Sequence, residues 1–291
     1  MQSETCPADV AAGTEVAVRG DGAPVLVLHG TPGGIDGAGI MARFLPSDSF
    51  RVVTLSRPGY LGTRLDRQHA SLDDEADRYA ALLDRLGIER VAVLAWSGGG
   101  PAAYRFAVRH PHRVRSLVVA AGLSGRWAPP HVAPLELVIT HTAVGAALAR
   151  AAARIAPGAV ISVAEAGVSS LRGRALREHV RGVLADPVRR TFVLDLATTG
   201  NTSGRHRPGW DNDVRNLGAV DDLGLSGIRT PTLLVHGDAD TDVEPSHSAR
   251  AAAEVPDAEL LTLPGGTHFA LWAHRDAEAV QERVRAHLRL S

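Results

Sequence analysis

The chain has 291 residues, 45% of them hydrophobic and 22% charged, which is enough for one large core or for a core with a smaller appended unit. Its 31 basic residues, all of them arginine, are scattered among 32 carboxylates, and the formal net charge of -1 excludes the basic excess of a nucleic-acid-binding protein. The single cysteine, Cys6, excludes an intrachain disulfide and a multi-cysteine metal site.

Short apolar runs that end at glycine or proline alternate with helical periodicity, a pattern typical of an α/β fold whose mostly parallel sheet is covered by helices on both faces. In chain order, the predicted strands are residues 25–28, 51–55, 91–95, 117–120, 232–236 and 259–263. Because these strands are so apolar, we expect both of their faces to be buried.

Two helices of the core are predicted from apolar repeats. Ser71 and Asp74 form a capping-box pattern at the start of one helix, and Gly87 is its expected end. The last helix repeats apolar residues every three or four positions from Ala277 to Leu288. These apolar stripes predict faces that pack on the core.

The alternation stops between about residues 123 and 227, where helices are predicted near 134–155, 170–184 and 186–199 but no convincing strand. We therefore predict an α/β core made of residues 1–123 and 227–291 and a helical cap, or lid, made of residues 124–226. Insertions at the carboxyl ends of α/β strands are where ligands usually bind.

No segment indicates secretion or a membrane partner. The N-terminal residues lack the basic start and the apolar run of a secretory signal. The alanine-rich stretch 143–153 is far shorter than the roughly 20 apolar residues that span a bilayer. We therefore expect a soluble cytoplasmic protein.

The sequence Ala95-Trp96-Ser97-Gly98-Gly99 joins a strand to a helix predicted over residues 101–110. At such a sharp turn the serine hydroxyl is exposed at the carboxyl edge of the sheet, and the residues two positions away must be small. A dinucleotide-binding loop is the alternative, but it expects an acidic residue at the end of the next strand, which ends in Ala-Ala-Gly. Ser97 is therefore the predicted nucleophile.

A serine hydroxyl needs a general base, and the base needs an orienting acid. His268 is the predicted base because it follows the last strand in a glycine-rich loop. Asp240 is the predicted acid because it lies in the turn after strand 232–236, whereas the turn after strand 117–120 holds no carboxylate. Asp238 is the alternative acid, and Asp238 and Asp242 are otherwise interpreted as turn caps.

The loop after the first predicted strand, His29 to Gly34, is predicted to form one half of an oxyanion hole. Acyl transfer needs backbone N–H donors directed at the developing charge. Gly98 supplies one donor, and because Pro32 has no N–H, we expect Thr31 to supply the other, with Gly33 as the alternative. If this loop has no catalytic role, it is interpreted as an ordinary β-turn.

Five motifs together resemble the α/β-hydrolase superfamily from about residue 14 to the end, apart from the lid. The motifs are residues 29–34, 56–60, 96–100, 231–237 with Asp240, and 266–268. This resemblance implies an eight-stranded sheet, a capped active site, no cofactor, and hydrolysis through an acyl-enzyme.

Two departures separate the chain from particular groups of that superfamily. The loop HGTPGG is similar to that of proline iminopeptidases, but the elbow WSGG differs from their Gly-x-Ser-Trp-Gly-Gly, and Ser56 stands where related proteins often have aspartate. Dehalogenases and epoxide hydrolases have aspartate in the place of Ser97.

These patterns predict a serine hydrolase that acts on a small or medium acyl substrate, with a carboxylic ester as the first choice. Hydrolysis of an amide, a lactone or a C–C bond, or acyl transfer, uses the same triad and stays open. A ligand-binding receptor on the same scaffold is the interpretation without catalysis. A metal enzyme is disfavoured because HExxH and similar ligand spacings are missing.

Overall fold

Eight β-strands of the computed structural model form one sheet in the order β1-β2-β4-β3-β5-β6-β7-β8. The structure describes residues 9–11, 13–129, 142–199 and 202–290. The strands are β1 (Asp9–Ala11), β2 (Thr14–Arg19), β3 (Ala23–Leu28), β4 (Phe50–Leu55), β5 (Val91–Trp96), β6 (Val114–Ala120), β7 (Thr232–Gly237) and β8 (Ala258–Leu263). The pairs β1–β2 and β2–β4 are antiparallel, and all other pairs are parallel.

Eleven α-helices are present in the described part of the chain. They are α1 (Ile35–Met41), α2 (Leu72–Arg85), α3 (Gly100–Arg109), α4 (Ala143–Ile155), α5 (Pro157–Gly167), α6 (Gly173–Ala185), α7 (Pro187–Thr199), α8 (Arg207–Gly218), α9 (Ser246–Glu254), α10 (Ala270–Ala273) and α11 (Ala277–Leu288). None of these helices is long and apolar enough to cross a bilayer.

The predicted α/β class is confirmed, and each of the six predicted strands lies within one of β3 to β8. Successive residues of β3 enter two different hydrophobic clusters: Val25 and Val27 pack with one, and Leu26 and Leu28 with the other. Because strand side chains alternate between faces, these clusters are the two layers of helices packed on the sheet. The capping box at Ser71 is also confirmed.

The expectation that every predicted strand is buried on both faces is wrong for β8. This strand lies at the edge of the sheet and pairs only with β7. Five of its six residues are half-buried or exposed. An edge strand has a neighbour on one side only, so an apolar sequence alone does not ensure its burial.

The described chain between β6 and β7 is helical, as predicted, and contains α4 to α8, which we name the insertion helices. Helices α5 and α8 were not predicted, and residues 134–141 of the predicted helix 134–155 lie outside the described residues. Phe192 of α7 stacks on Trp272 of α10, with ring centroids 4.9 Å apart. The insertion helices therefore share a hydrophobic cluster with the sheet.

Candidate active site

Ser97 lies in the sharp turn between β5 and α3, where its backbone has a φ of 54°. A non-glycine residue in this left-handed region is strained by about 1–3 kcal/mol, and such strain persists where the surrounding structure imposes it. A Cβ at Gly99 would lie 2.6 Å from the carbonyl oxygen of His29, so only glycine fits beside the turn. A Cβ at Gly30 would lie 3.0 Å from Cβ of Ser97. The loop after β3 thus packs directly on the turn.

His268 and Asp240, which are distant in the sequence, form a buried pair. His268 Nδ1 lies 2.7 Å from Asp240 Oδ2, and the side chains are 2% and 0% exposed. The other oxygen, Oδ1, accepts hydrogen bonds from the amides of Asp242 at 2.9 Å and Val243 at 3.0 Å. A carboxylate held in this way fixes a proton on Nδ1 and leaves Nε2 as the basic nitrogen of the neutral ring.

The two loops that carry this pair are joined through their backbones. The amide of Ala239 donates to the carbonyl of Gly266 at 2.9 Å, and a Cβ at Gly237 would overlap the backbone of Gly266. Asp238 accepts a hydrogen bond from the Gly265 amide at 2.6 Å and is exposed. Asp238, the alternative acid, therefore ties the loops together and has no described contact with His268.

Trp96 links the imidazole to the serine turn. Its indole ring lies 5.0 Å from the His268 ring, between centroids, and its Nε1 donates to the His268 carbonyl at 3.2 Å. The structure thus places His268 against the residue that precedes Ser97. Among the described contacts, however, Nε2 of His268 lies 3.3 Å from Asp242 Oδ2, and no hydrogen bond joins it to Ser97. The interpretation of Asp242 as a turn cap alone missed this contact.

Neighbouring charges shift the ionisation of the histidine–aspartate pair. Burial by itself would lower the pKa of His268, but the carboxylates of Asp240 and Asp242 outweigh it and raise that pKa above its ordinary value. Burial also opposes the charged form of Asp240, yet His268 and His236 hold the pKa of that carboxyl far below its usual range. Asp240 is therefore ionised at neutral pH, and His268 binds a proton more readily than a histidine in water.

Gly98 and Thr31, the two predicted oxyanion residues, lie in contact. A Cβ at Gly98 would be 2.8 Å from Cβ of Thr31, so glycine is needed where the two chain segments meet. Among the backbone–backbone hydrogen bonds of the described chain outside helices and strands, none is donated by the amide of Thr31 or Gly98. Gly33, the alternative donor, packs instead against the ring of His29.

A buried ion network, which the sequence did not predict, contacts the same loop. Arg57 donates from Nε to Glu75 Oε1 at 2.8 Å and from Nη2 to Asp213 Oδ1 at 2.9 Å. Asp213 Oδ2 also accepts from the hydroxyl of Tyr60 at 2.7 Å and from that of Thr31 at 2.6 Å. Asp213 belongs to α8, so the network joins an insertion helix to the loop that carries Thr31.

The charge of Arg57 is maintained by this network. Burial by itself would lower the pKa of Arg57, but Asp213 and Glu75 outweigh it and raise the pKa well above its ordinary value. The motif Ser56-Arg57-Pro58-Gly59 directly after a buried strand was the available signal, because a buried arginine requires carboxylate partners. Asp213 is 156 residues away in the sequence, so local spacing did not identify it.

The described residues contain no group of three or more His, Cys, Asp or Glu side chains arranged to hold a metal ion.

A family model described as "alpha/beta hydrolase fold" matches residues 23–274 of the chain. The chain belongs to the α/β-hydrolase family. The eight-stranded sheet, with a strained serine between β5 and α3, agrees with this membership.

Several known proteins are similar to this α/β-hydrolase. An alpha/beta hydrolase fold protein from Nakamurella multipartita has 40% identity, a TM-score of 0.92 and coverage of 99% of each chain. Among curated proteins, 2-hydroxy-6-oxononadienedioate/2-hydroxy-6-oxononatrienedioate hydrolase 2 of Pseudomonas putida is 29% identical, over 88% of this chain and 85% of its own length. A thermophilic esterase from Thermogutta terrifontis, 19% identical with a TM-score of 0.65 and coverage of 99% and 98%, shares the fold.

Proposed function

We propose that this α/β-hydrolase is a serine hydrolase in which Ser97 is the nucleophile, His268 the general base and Asp240 the orienting acid. The observation that carries the proposal is the 2.7 Å contact between His268 Nδ1 and Asp240 Oδ2, held by Trp96 against the strained serine turn. A nucleophile, a buried acid and a base, in this order along the chain, are what acyl transfer by serine requires on this scaffold.

In the proposed reaction, Ser97 Oγ attacks the acyl carbon while His268 Nε2 takes the hydroxyl proton. The amides of Gly98 and Thr31 stabilise the oxyanion. The imidazolium, stabilised by Asp240, then gives its proton to the leaving oxygen as the ester C–O bond breaks, which releases an alcohol and leaves an acyl-enzyme. Water attacks this acyl-enzyme with the same base, and the carboxylic acid is released.

We propose that the insertion helices act as a cap over this site. Backbone hydrogen bonds join the end of α5 to residues 238–245, which follow β7 and which we name the acid loop: the Ser170 amide donates to the carbonyl of Ala239 at 2.8 Å, and the Thr241 amide donates to that of Val168 at 3.2 Å. Asp213 of α8 contacts Thr31, which belongs to residues 29–34 after β3, here named the oxyanion loop. Contacts of the insertion with both the acid loop and the oxyanion loop support this role.

A neutral carboxylic ester is the substrate class that the local charges favour. The neighbouring charges that raise the pKa of His268 are the carboxylates of Asp240, Asp242 and Glu165. The nearby cation, Arg57, is already paired with two carboxylates. An acyl group that carries its own negative charge would be repelled in such surroundings.

Hydrolysis of a C–C bond is the second candidate, and the names of the curated relatives favour it. The Pseudomonas putida relative is named for a dioate, and a relative from Burkholderia cepacia, 24% identical over 89% of this chain and 85% of its own length, is named 2-hydroxy-6-oxo-6-phenylhexa-2,4-dienoate hydrolase. The test of this candidate compares kcat/KM for methyl butanoate with kcat/KM for 2-hydroxy-6-oxo-6-phenylhexa-2,4-dienoate. A larger value for the dienoate would favour C–C hydrolysis over ester hydrolysis.

The test of the proposed function is the hydrolysis of p-nitrophenyl acetate and methyl butanoate by the purified protein. Ser97→Ala should lower kcat by on the order of 10⁶-fold, because the covalent intermediate is lost. The control is Ser246→Ala, at an exposed serine at the start of α9, which should retain the parent activity. Parent-like hydrolysis by Ser97→Ala would contradict the proposal.

A further inference from the structure

The carboxylate of Asp242 lies beside the nitrogen that the proposed reaction needs. Its Oδ2 is 3.3 Å from Nε2 of His268, on the opposite side of the ring from the contact between Nδ1 and Asp240. The Asp242 side chain is 32% exposed, whereas that of His268 is 2% exposed. Asp242 therefore reaches from a partly open position to the buried base.

Groups from several elements face His268. The acid loop contributes Asp240 and Asp242, and helix α5 contributes Glu165, whose side chain is fully buried. The end of β5 contributes the neutral ring of Trp96, and His236 of β7 acts through Asp240, at 3.2 Å from its Oδ2. Glu165 Oε2 itself lies 3.1 Å from Nε2 of His179 on α6.

The reacting part of a substrate must come close to Asp242. Nε2 of His268 takes a proton from Ser97 and gives it to the leaving oxygen. In a reactive complex, the carbonyl carbon bonded to these two oxygens therefore lies within a few ångströms of Nε2. Asp242 Oδ2 is 3.3 Å from the same nitrogen. A charge two or three bonds from the scissile carbonyl would therefore interact strongly with this carboxylate.

This inference rests on the proposed function. We propose that Asp242 is a specificity-determining residue that disfavours acyl groups with a negative charge near the scissile carbonyl and favours neutral or cationic ones. In the imidazolium, Nε2–H faces this carboxylate, so the ring must release that proton to solvent before Nε2 can take the proton of Ser97. Asp242 thus affects both the choice of substrate and the pH at which the base is free.

Three methyl esters with the same acyl backbone vary the charge at one position, and the neutral and cationic esters are also matched in size. Monomethyl succinate, methyl butanoate and methyl 3-aminopropanoate differ only in a terminal carboxylate, methyl or ammonium group. For the parent, we expect kcat/KM to be lowest for the anionic ester. For Asp242→Asn, the ratio of kcat/KM for the anionic ester to that for the neutral ester should rise by about 10-fold or more. The ratio for the cationic ester should fall.

Asp238→Asn is the matched control, because Asp238 is an exposed aspartate of the same turn without a described contact to His268. Its ratios should stay within about twofold of those of the parent. A second measurement is the pH profile of kcat/KM for methyl butanoate. Its acid limb should move to lower pH in Asp242→Asn and should stay in place in Asp238→Asn, since Asp242 contacts the imidazole ring and Asp238 does not.

Unchanged ratios and an unshifted acid limb in an Asp242→Asn protein that still hydrolyses methyl butanoate would overturn the proposal for Asp242 and leave the triad intact. If the parent hydrolyses none of the three esters, the proposed function itself fails, and the role of Asp242 fails with it.

Discussion

At the level of single residues, the site combines a strained backbone with a buried histidine–aspartate pair. Ser97 has its backbone in the left-handed region, and His268 is bound between Asp240 and Asp242. Both features cost free energy; Gly30 and Gly99 allow the close packing around the serine turn, and two backbone amides compensate the buried carboxylate of Asp240. Such compensation is typical of preorganised catalytic groups.

Asp240→Asn should lower kcat by about 10⁴-fold, because an amide neither holds the correct tautomer of His268 nor stabilises its cation. Asp238→Asn should stay within about threefold of the parent, since Asp238 contacts a backbone amide and not the imidazole. Steady-state hydrolysis of p-nitrophenyl acetate measures both. Equal losses in the two variants would show that Asp240 has no special role.

The pH profile of the parent follows from the raised pKa of His268. The base must be neutral to accept the serine proton, so activity is lost as pH falls through the pKa of this histidine. Because Asp240 and Asp242 raise that pKa, the acid limb of kcat/KM should have its midpoint above the ordinary value of about 6.5. The rates of methyl butanoate hydrolysis between pH 5 and 9 measure this midpoint. A midpoint at or below 6.5 would contradict the assigned environment of His268.

At the level of elements, the parallel sheet brings distant segments to one edge. Strands β3, β5 and β7 run in the same direction, so the loops that follow them carry Thr31, Ser97 and Asp240 to the same end of the sheet. Helix α8 adds Asp213, which binds Arg57 and Thr31. The oxyanion loop is thus held by the core on one side and by an insertion helix on the other.

Thr31→Val tests whether this link positions the oxyanion loop. The variant keeps the amide and the approximate volume of Thr31 but loses its hydrogen bond to Asp213, which we expect to lower kcat by roughly 10-fold with a smaller change in KM. Tyr60→Phe is the control, because it removes another hydrogen bond to the same oxygen of Asp213. Each variant should lose about 1.5–3 kcal/mol of unfolding free energy.

Urea denaturation of the two variants, measured beside their kinetics, separates stability from positioning. If Tyr60→Phe lost as much kcat as Thr31→Val at equal loss of stability, the network would be structural only. A selective loss of kcat in Thr31→Val would support the positioning role.

At the level of the whole molecule, local patterns predicted the sheet because each of its strands from β3 to β8 is a short apolar run next to a turn. The placement of Ser97, Asp240 and His268 followed from their order and from the strand ends they occupy. The strands β1 and β2 escaped prediction, since the pairs β1–β2 and β2–β4 are antiparallel and lie outside the strand–helix alternation.

Local sequence patterns did not predict the long-range polar contacts, and the reason is physical. The pairing of Arg57 with Asp213 and the reach of Asp242 to His268 depend on how loops and insertion helices are placed in space. Helices α5 and α8 escaped prediction as well, and α8 carries one of these partners. The apolar pattern therefore predicts the scaffold, while the charges that tune the site appear only in three dimensions.

In the proposed function, the whole fold brings one hydroxyl, one imidazole and one carboxylate together so that a single serine becomes reactive. The most direct measurement is the intact mass of the protein after treatment with a fluorophosphonate, followed by peptide mapping. We predict one adduct per chain, located on Ser97, and at least about 10³-fold slower labelling in His268→Ala. An adduct on another residue, or no adduct in a protein that hydrolyses esters, would contradict the account.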